Sequence, residues 1–225
     1  MSTRVGDALL TTHLEAYLGA WPPSGRVEVV GWPGRVEAGW DGSIALAVVV
    51  RSPEGTVISV PPDLAPRAAR LSGSVCSESF RDDVAQAVGA PGRASPWLAL
   101  RWSTEPAPLP DLGRWVEPDD PALPDWLRVF PSRVLVARDE DGRYLAGVGI
   151  KSHTRWGKEL AVGTEEEARG RGFARRLVAQ AARAVLEDGA MPLYVHHPGN
   201  AASARVAEAA GFPDLGWRQV VVFAP

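Results

Sequence analysis

The chain has 225 residues, of which 45% are hydrophobic, and its formal net charge is -3 at pH 7. This length allows one large domain or two small ones with a buried core, and the slight acidic excess argues against an obligate nucleic-acid partner, because a surface that follows phosphates is normally basic. The opening residues lack the apolar core of a signal peptide, no apolar run is long enough to span a bilayer and Cys76 is the single cysteine, so we expect a cytoplasmic protein with no membrane partner and no internal disulfide.

The first half of the chain predicts a small α+β module. Its expected elements are a helix over 9–18, strands over 26–30, 44–50 and 56–60, and helices over 64–71 and 80–88. The last two strands are joined by Ser-Pro-Glu-Gly, a typical turn sequence. No motif in this half indicates a role.

Residues 106–124 are the most Pro- and Asp-rich part of the chain and are typical of a loop or linker. We therefore predict two domains, an N-terminal module over 1–111 and a second domain over 112–225.

The second half predicts a mixed sheet with helices, an α/β arrangement. Its expected elements are strands over 133–138, 144–153 and 158–164, a helix ending at 188, a strand over 192–197, a short helix, and a strand over 217–223. The first two strands are joined by Asp-Glu-Asp-Gly, a hairpin turn.

The most informative segment is Arg169-Gly170-Arg171-Gly172-Phe173-Ala174, which opens the long helix. Glycines at a helix start let a ligand approach the backbone, and the unpaired N–H groups of the first turn favour an anion there. This predicts a phosphate-binding loop over Arg169 to Arg175. The simpler alternative is that the glycines serve only a tight turn.

Other phosphate-binding motifs fit this segment poorly. The residues Thr-Glu-Glu-Glu-Ala separate the preceding strand from the glycines, and Arg175 stands where a dinucleotide fingerprint needs its third small residue. A Walker A loop requires Gly-Lys-Ser/Thr, which is missing from the sequence.

Two motifs together resemble the GCN5-related N-acetyltransferase (GNAT) family. Arg169-x-x-Gly172-x-Ala174 is similar to the family's pyrophosphate-binding signature, and Asn200-Ala-Ala-Ser203 followed by Gly211-Phe212 is similar to a later element of the family. The resemblance covers roughly the C-terminal half. It implies an acetyltransferase core preceded by a smaller α+β module.

The resemblance also implies acetyl-CoA as cofactor and an amine as acceptor. By position, Val162, Gly163 and Thr164 would line a slot for the pantetheine arm, the Arg169 to Arg175 loop would bind the pyrophosphate, and Asn200 with Ser203 would help hold the arm. Helix capping alone also explains Asn200 and Ser203. Between residues 113 and 133 there is little room for the family's first strand and its two substrate-side helices, and no seventh strand follows residue 225, so we expect the first half or a partner subunit to supply the missing walls.

The residues that would move protons are less well defined by the sequence. Glu159 stands on the strand where relatives often carry a glutamate base, and His196 ends the next strand, so both are candidate catalytic residues; for each, a surface role is the alternative. Adjacent strand residues point to opposite faces, so His196 and His197 form no metal pair, and we expect no metal site. Ala207 replaces a tyrosine that protonates the thiolate in many relatives, which leaves Tyr194, Tyr144 or water for that step.

We therefore expect an acetyl-CoA-dependent N-acetyltransferase that works by direct attack in a ternary complex. The alternatives are a catalytically weak or inactive CoA-binding sensor or scaffold and, less favoured, an unrelated nucleotide-binding module. The acceptor is not readable from the sequence, and a homodimer stays open.

Overall fold

The computed structural model describes residues 5–225, and they form a mixed α/β fold. The helices are α1 Val5–Leu18, α2 Ala65–Ala68, α3 Phe80–Ala87, α4 Asp125–Arg128, α5 Phe173–Glu187 and α6 Ala201–Ala209. The strands are β1 Val27–Gly31, β2 Ala45–Ser52, β3 Gly55–Val60, β4 Leu98–Trp102, β5 Arg114–Val116, β6 Val134–Arg138, β7 Tyr144–Thr154, β8 Gly157–Thr164, β9 Met191–His196 and β10 Arg218–Phe223. The strongly periodic segments of the sequence form the predicted elements, whereas β4, β5 and α4 were not expected.

The chain divides into two compact units, residues 1–100 with 215–225 and residues 101–214. The predicted domain boundary between residues 111 and 112 stays a prediction.

In the first unit the strands follow the order β1, β3, β2, β10, β4. β1 pairs with β3 in parallel and the other pairs are antiparallel. The last strand of the chain, β10, therefore lies between β2 and β4. Its Val220 and Val222 belong to a core with Ile58, Phe80 and Val84.

In the second unit the strands follow the order β9, β8, β7, β6, β5. Only β8 and β9 are parallel. Helices α5 and α6 pack on one face of these strands around a core that includes Leu160, Leu177, Val178, Tyr194 and Phe212. This core forms because the apolar stripe of α5 and alternate residues of the strands face each other.

Residues 106–124, predicted to be a loop or linker, have no helix or strand apart from β5, but part of this segment is bound to the neighbouring helix. Residues 107–113 are held on the polar face of α5, where Arg183 donates to the Ala107 and Leu109 carbonyls and Gln180 Oε1 accepts from the Leu112 and Gly113 N–H groups at 3.0 and 2.8 Å. Strand β5 follows directly and pairs antiparallel with β6. A first strand is thus present where the sequence indicated little room for one.

Candidate functional site

Strands β8 and β9 separate along their length and open a slot. Their parallel pairing covers only Gly157–Glu159 with Met191–Leu193. Beyond Glu159, β8 continues to Thr164 and β9 to His196 with no further pairing between them among the described residues. Val162, Gly163 and Thr164 pair with β7 on their other side, so among the described residues their slot-facing backbone groups have no strand partner.

The slot leads into the glycine loop. After β8 a short 3-10 turn, Glu166–Ala168, is followed by Arg169, Gly170, Arg171 and Gly172, and α5 begins at Phe173. Gly170 has φ +75° and Gly172 has φ +81°, backbone conformations that glycine adopts at little steric cost. The first helical bond of α5 is Arg176 N–H to the Gly172 carbonyl at 3.4 Å, so the N–H groups of Phe173, Ala174 and Arg175 have no acceptor within the helix.

The side chains of the loop make it cationic and exposed. Arg169, Arg171 and Arg175 are exposed, and the Arg171 guanidinium lies 5.0 Å from the centre of the Phe173 ring. Left-handed glycines, amides without an acceptor within the helix and three arginines at one helix start form a suitable cradle for a pyrophosphate.

Asn200 and Ser203 lie at the start of α6. Asn200 Oδ1 accepts from the Ser203 N–H at 3.0 Å and caps the helix, and Ser203 Oγ lies 2.9 Å from the Tyr194 hydroxyl. Burial raises the pKa of Tyr194, although the hydrogen bond to Ser203 and the charge of Arg101 oppose this shift. Capping thus accounts for the Asn200 oxygen, and its role towards a ligand stays a prediction.

At the slot, the two faces of the sheet are covered by different elements. The face that carries Leu160 and Tyr194 is filled by α5 and α6. On the opposite face, the short helix α4 and the residues just after it place Trp126, Leu127 and Phe130 directly over Gly163, Gly147 and Gly149. Beyond these side chains the second face carries Glu159 and its partners, and we call it the open face because α5 and α6 pack on the other one.

Glu159 is the last β8 residue paired with β9, and it is buried in an ionic cluster. Its Oε1 accepts from Lys151 Nζ at 2.7 Å, and its Oε2 lies 2.8 Å from His153 Nε2. Burial alone would raise the pKa of Glu159, but the hydrogen bond and charge of His153, followed by those of Lys151, outweigh it and lower the pKa to about 2. A carboxylate held in this way is a weak proton acceptor near neutral pH.

His196 lies on the other face of the sheet from Glu159. Glu159 is in register with Leu193, so the two share a face, and His196 is three residues further along β9. Its Nδ1 lies 2.9 Å from the His197 carbonyl, which can only accept, so Nδ1 carries the proton. Its Nε2 is buried, and within residues 5–225 it has no hydrogen-bond partner.

Tyr144 and Tyr194 are the candidates to replace the missing tyrosine, and they lie in different surroundings. Ala207 is fully buried in the core beneath α5. The Tyr144 hydroxyl lies 3.5 Å from the Gly163 carbonyl, and its pKa is raised by burial, with the charge of Glu165 adding to the shift. Tyr144 thus lies beside β8, whereas Tyr194 is tied to Ser203.

Sequence reasoning missed Lys151 and His153. Neither belongs to a motif, and both reach Glu159 only through the pairing of β7 with β8. In the described part of the chain no group of three His, Cys, Asp or Glu side chains could hold a metal ion, and no helix there is both long and apolar enough to cross a membrane.

Among the solved structures that resemble this chain, one has a TM-score above 0.5 and supports the fold. A protein from Drosophila matches with a TM-score of 0.51 and 16% identity over 66% of this chain and 58% of its own. A GCN5-related N-acetyltransferase-like protein from Streptococcus suis matches with a TM-score of 0.44 and 18% identity over 66% and 69%, and a GNAT acetyltransferase from Colwellia psychrerythraea with a TM-score of 0.45 and 15% identity over 62% and 61%. The chain thus spans less than two thirds of the Drosophila and Colwellia proteins.

Comparison at the level of sequence families is more specific. No curated protein matches this chain. The pattern of the Acetyltransferase (GNAT) family matches residues 96–212, just over half of the 225 residues, and includes the slot, the glycine loop and α6. The chain therefore belongs to the GNAT acetyltransferase family, a family of acyltransferases.

Proposed function

We propose that this protein transfers an acetyl group from acetyl-CoA to an amine by direct attack within a ternary complex. The observation that carries this proposal is the continuity of the slot with the loop: β8 parts from β9 after Glu159 and runs into two left-handed glycines at the start of α5. This arrangement fits a long ligand with a flexible arm at one end and a pyrophosphate at the other.

The residues present fit acetyl-CoA along its length. The backbone from Val162 to Thr164 would bind the pantetheine arm, and the amides of the Arg169 to Arg175 loop would bind the pyrophosphate, with three exposed arginines for its charge. Asn200 and Ser203 would contact the arm from α6. Acetyl-CoA, when bound, supplies an acetyl group activated as a thioester.

The acceptor amine would approach from the open face, because α5 and α6 fill the other one. Glu159 and His196 remain the bases predicted from the sequence. Only Glu159 lies on the open face, and its two carboxylate oxygens are already hydrogen-bonded to Lys151 and His153. The unpartnered Nε2 of His196 instead suits an amide N–H of the pantetheine arm.

Replacing Gly172 with glutamate tests the cofactor site. The side chain would occupy the approach to the loop amides and add a negative charge, so we expect acetyl-CoA affinity to fall at least tenfold in calorimetry. Gly189→Glu is the matched control, because Gly189 has φ +74° and open space around it but lies beyond the far end of α5. Equal affinities in folded samples of both variants would refute the site.

The second candidate function is a CoA-binding protein with little or no catalysis. The engagement of both Glu159 oxygens and the alanine at position 207 favour it. Thiol release from acetyl-CoA, measured with a panel of amines, separates the two: an acetyltransferase accelerates release with at least one amine, whereas a sensor binds acetyl-CoA without turnover.

A further inference from the structure

We propose that the first unit carries a ligand site of its own, in which Arg35 binds the carboxylate of a small organic acid. The site is built by α1 and by the short 3-10 helix Pro33–Val36, which follows β1. All of its residues belong to the first unit, and it does not depend on the proposed acetyl transfer.

Arg35 is a buried cation without an acidic partner among residues 5–225. It is only 5% exposed. Its Nη2 donates to the Tyr17 carbonyl at 2.7 Å, whereas Nε and Nη1 are buried and have no hydrogen-bond partner within the described residues. Arginine is almost never this deeply buried unless it is paired with an acid. The guanidinium therefore retains N–H groups and charge with which to bind an anion.

The surroundings of Arg35 balance its charge only in part. Tyr17 lies in the last turn of α1, so its carbonyl belongs to the negative end of the helix dipole, and the Arg35 guanidinium carbon lies 4.7 Å from the centre of the Tyr17 ring. Burial lowers the pKa of Arg35, and Tyr17 opposes this shift. Because arginine stays protonated in proteins, a full positive charge faces only partial negative ones, and an anion would complete the pairing.

The charge and lining of the site favour an organic carboxylate over a phosphate. A carboxylate carries one negative charge and two coplanar oxygens, which match two N–H groups of a guanidinium. A phosphate dianion would leave part of its negative charge buried without compensation. The Tyr17 ring, on which His13 stacks with ring centres 5.5 Å apart, adds apolar surface for the body of an organic acid.

Trp32 lies between the two segments that meet at Arg35. A Cβ added at Gly34 would lie 2.6 Å from Trp32 Nε1, and one added at Gly19 would lie 3.0 Å from Trp32 Cβ. Gly19 comes two residues after Tyr17, and Gly34 directly precedes Arg35, so the indole fills the gap between α1 and the 3-10 helix. Trp32 is itself only partly buried, and we expect a rotation of its side chain to admit the ligand.

The test measures chemical denaturation with sodium benzoate or sodium propionate, against sodium chloride at equal ionic strength. Above its dissociation constant, each carboxylate should lower the unfolding equilibrium constant of the wild type tenfold for every tenfold rise in concentration, because it binds the folded state. Arg35→Met should lose this response. Arg26→Met, at an exposed arginine of the same unit, is the matched control and should keep it.

Two further measurements locate the effect at Arg35. Without added carboxylate, Arg35→Met should be at least as stable as the wild type, because methionine fills a similar volume without burying an unpaired charge. Arg35→Lys keeps the charge but not the planar fork, so it should bind benzoate at least tenfold more weakly, and it remains informative if the methionine variant folds poorly. In NMR spectra of the wild type, benzoate should shift the arginine Nε–H resonance that Arg35→Lys removes.

The contrary results are equally specific. A wild type that responds to the carboxylates no more than to chloride, or a response that is equal in Arg35→Met and the wild type, would overturn the proposal. A destabilised Arg35→Met together with an unshifted Arg35 resonance would show that Arg35 serves only to cap the end of α1. Each of these results would leave the proposed acetyl transfer untouched, since thiol release from acetyl-CoA is measured separately.

Discussion

At the scale of one residue, the buried charge of Glu159 makes the stability of the fold depend on pH. Its pKa is lowered from 4.5 to about 2, because His153 and Lys151 outweigh the effect of burial. Since the folded-state pKa lies below the unfolded value, the ionised group stabilises the fold above about pH 4.5 and this contribution is lost as pH falls towards 2.

We therefore predict that Glu159→Gln destabilises the protein at pH 7 by up to roughly 3 kcal/mol, the free-energy equivalent of this shift. The difference from the wild type should shrink as the pH is lowered from 5 to 2, where the wild-type carboxyl is itself becoming neutral. Chemical denaturation of both proteins across this range measures it. A difference that does not vary with pH would show that the variant acts through packing alone.

At the scale of an element, the polar face of α5 is what holds residues 107–113. Gln180 makes three bonds to that segment, accepting from the Leu112 and Gly113 N–H groups and donating to the Gly113 carbonyl at 3.0 Å. The same helix therefore presents its apolar stripe to the strands, its polar side chains to this segment and its first turn to the proposed pyrophosphate.

Gln180→Leu should leave those backbone groups unsatisfied and destabilise the protein by about 1–3 kcal/mol. Glu187→Ala, at an exposed position near the end of the same helix, is the control and should change stability by less than about 0.5 kcal/mol. Thermal unfolding of both variants makes the comparison. Equal melting temperatures would mean that the segment is held by other contacts, such as those of Arg183.

At the scale of the whole molecule, the predicted domain 112–225 lacks partners that it needs. Strand β10 has both of its paired strands, β2 and β4, before residue 112. Arg101, which is buried and donates to the Phe212 carbonyl at 2.9 Å, would also be lost. The fragment would thus expose Val220 and Val222 and an unpaired strand edge.

We accordingly predict that a fragment of residues 112–225 aggregates or melts without cooperativity, whereas the 225-residue chain unfolds with a cooperative transition. Size-exclusion chromatography and circular dichroism provide the measurements. A monomeric fragment with a cooperative melt and full acetyl transfer would establish the predicted boundary as a true domain boundary.

Local patterns in the sequence were sufficient to predict the helix, the loop and the strands that surround the slot. The helical stripe from Ala174 to Val185 and the glycines before it predicted α5 and its loop, because helix periodicity and the need for left-handed glycines are properties of neighbouring residues. Strands β6 to β9 followed from their alternation and turns. Strands β4 and β5 are short and carry no such signal, since each is stabilised by pairing with residues distant in the chain.

Which side chains surround Glu159 depends on the register between β7 and β8, and only the tertiary structure decides that register. Counted back from the Arg155-Trp156 turn, a regular hairpin would set Glu159 opposite Ser152. A β-bulge at His153 shifts the pairing by one residue and sets it opposite Lys151, and a one-residue shift reverses which face a side chain joins. The sequence by itself therefore determined the helix, the loop and the family motifs, whereas the tertiary structure decided which groups surround Glu159, because a bulge is stabilised by contacts across the sheet and leaves no pattern in the strand that contains it.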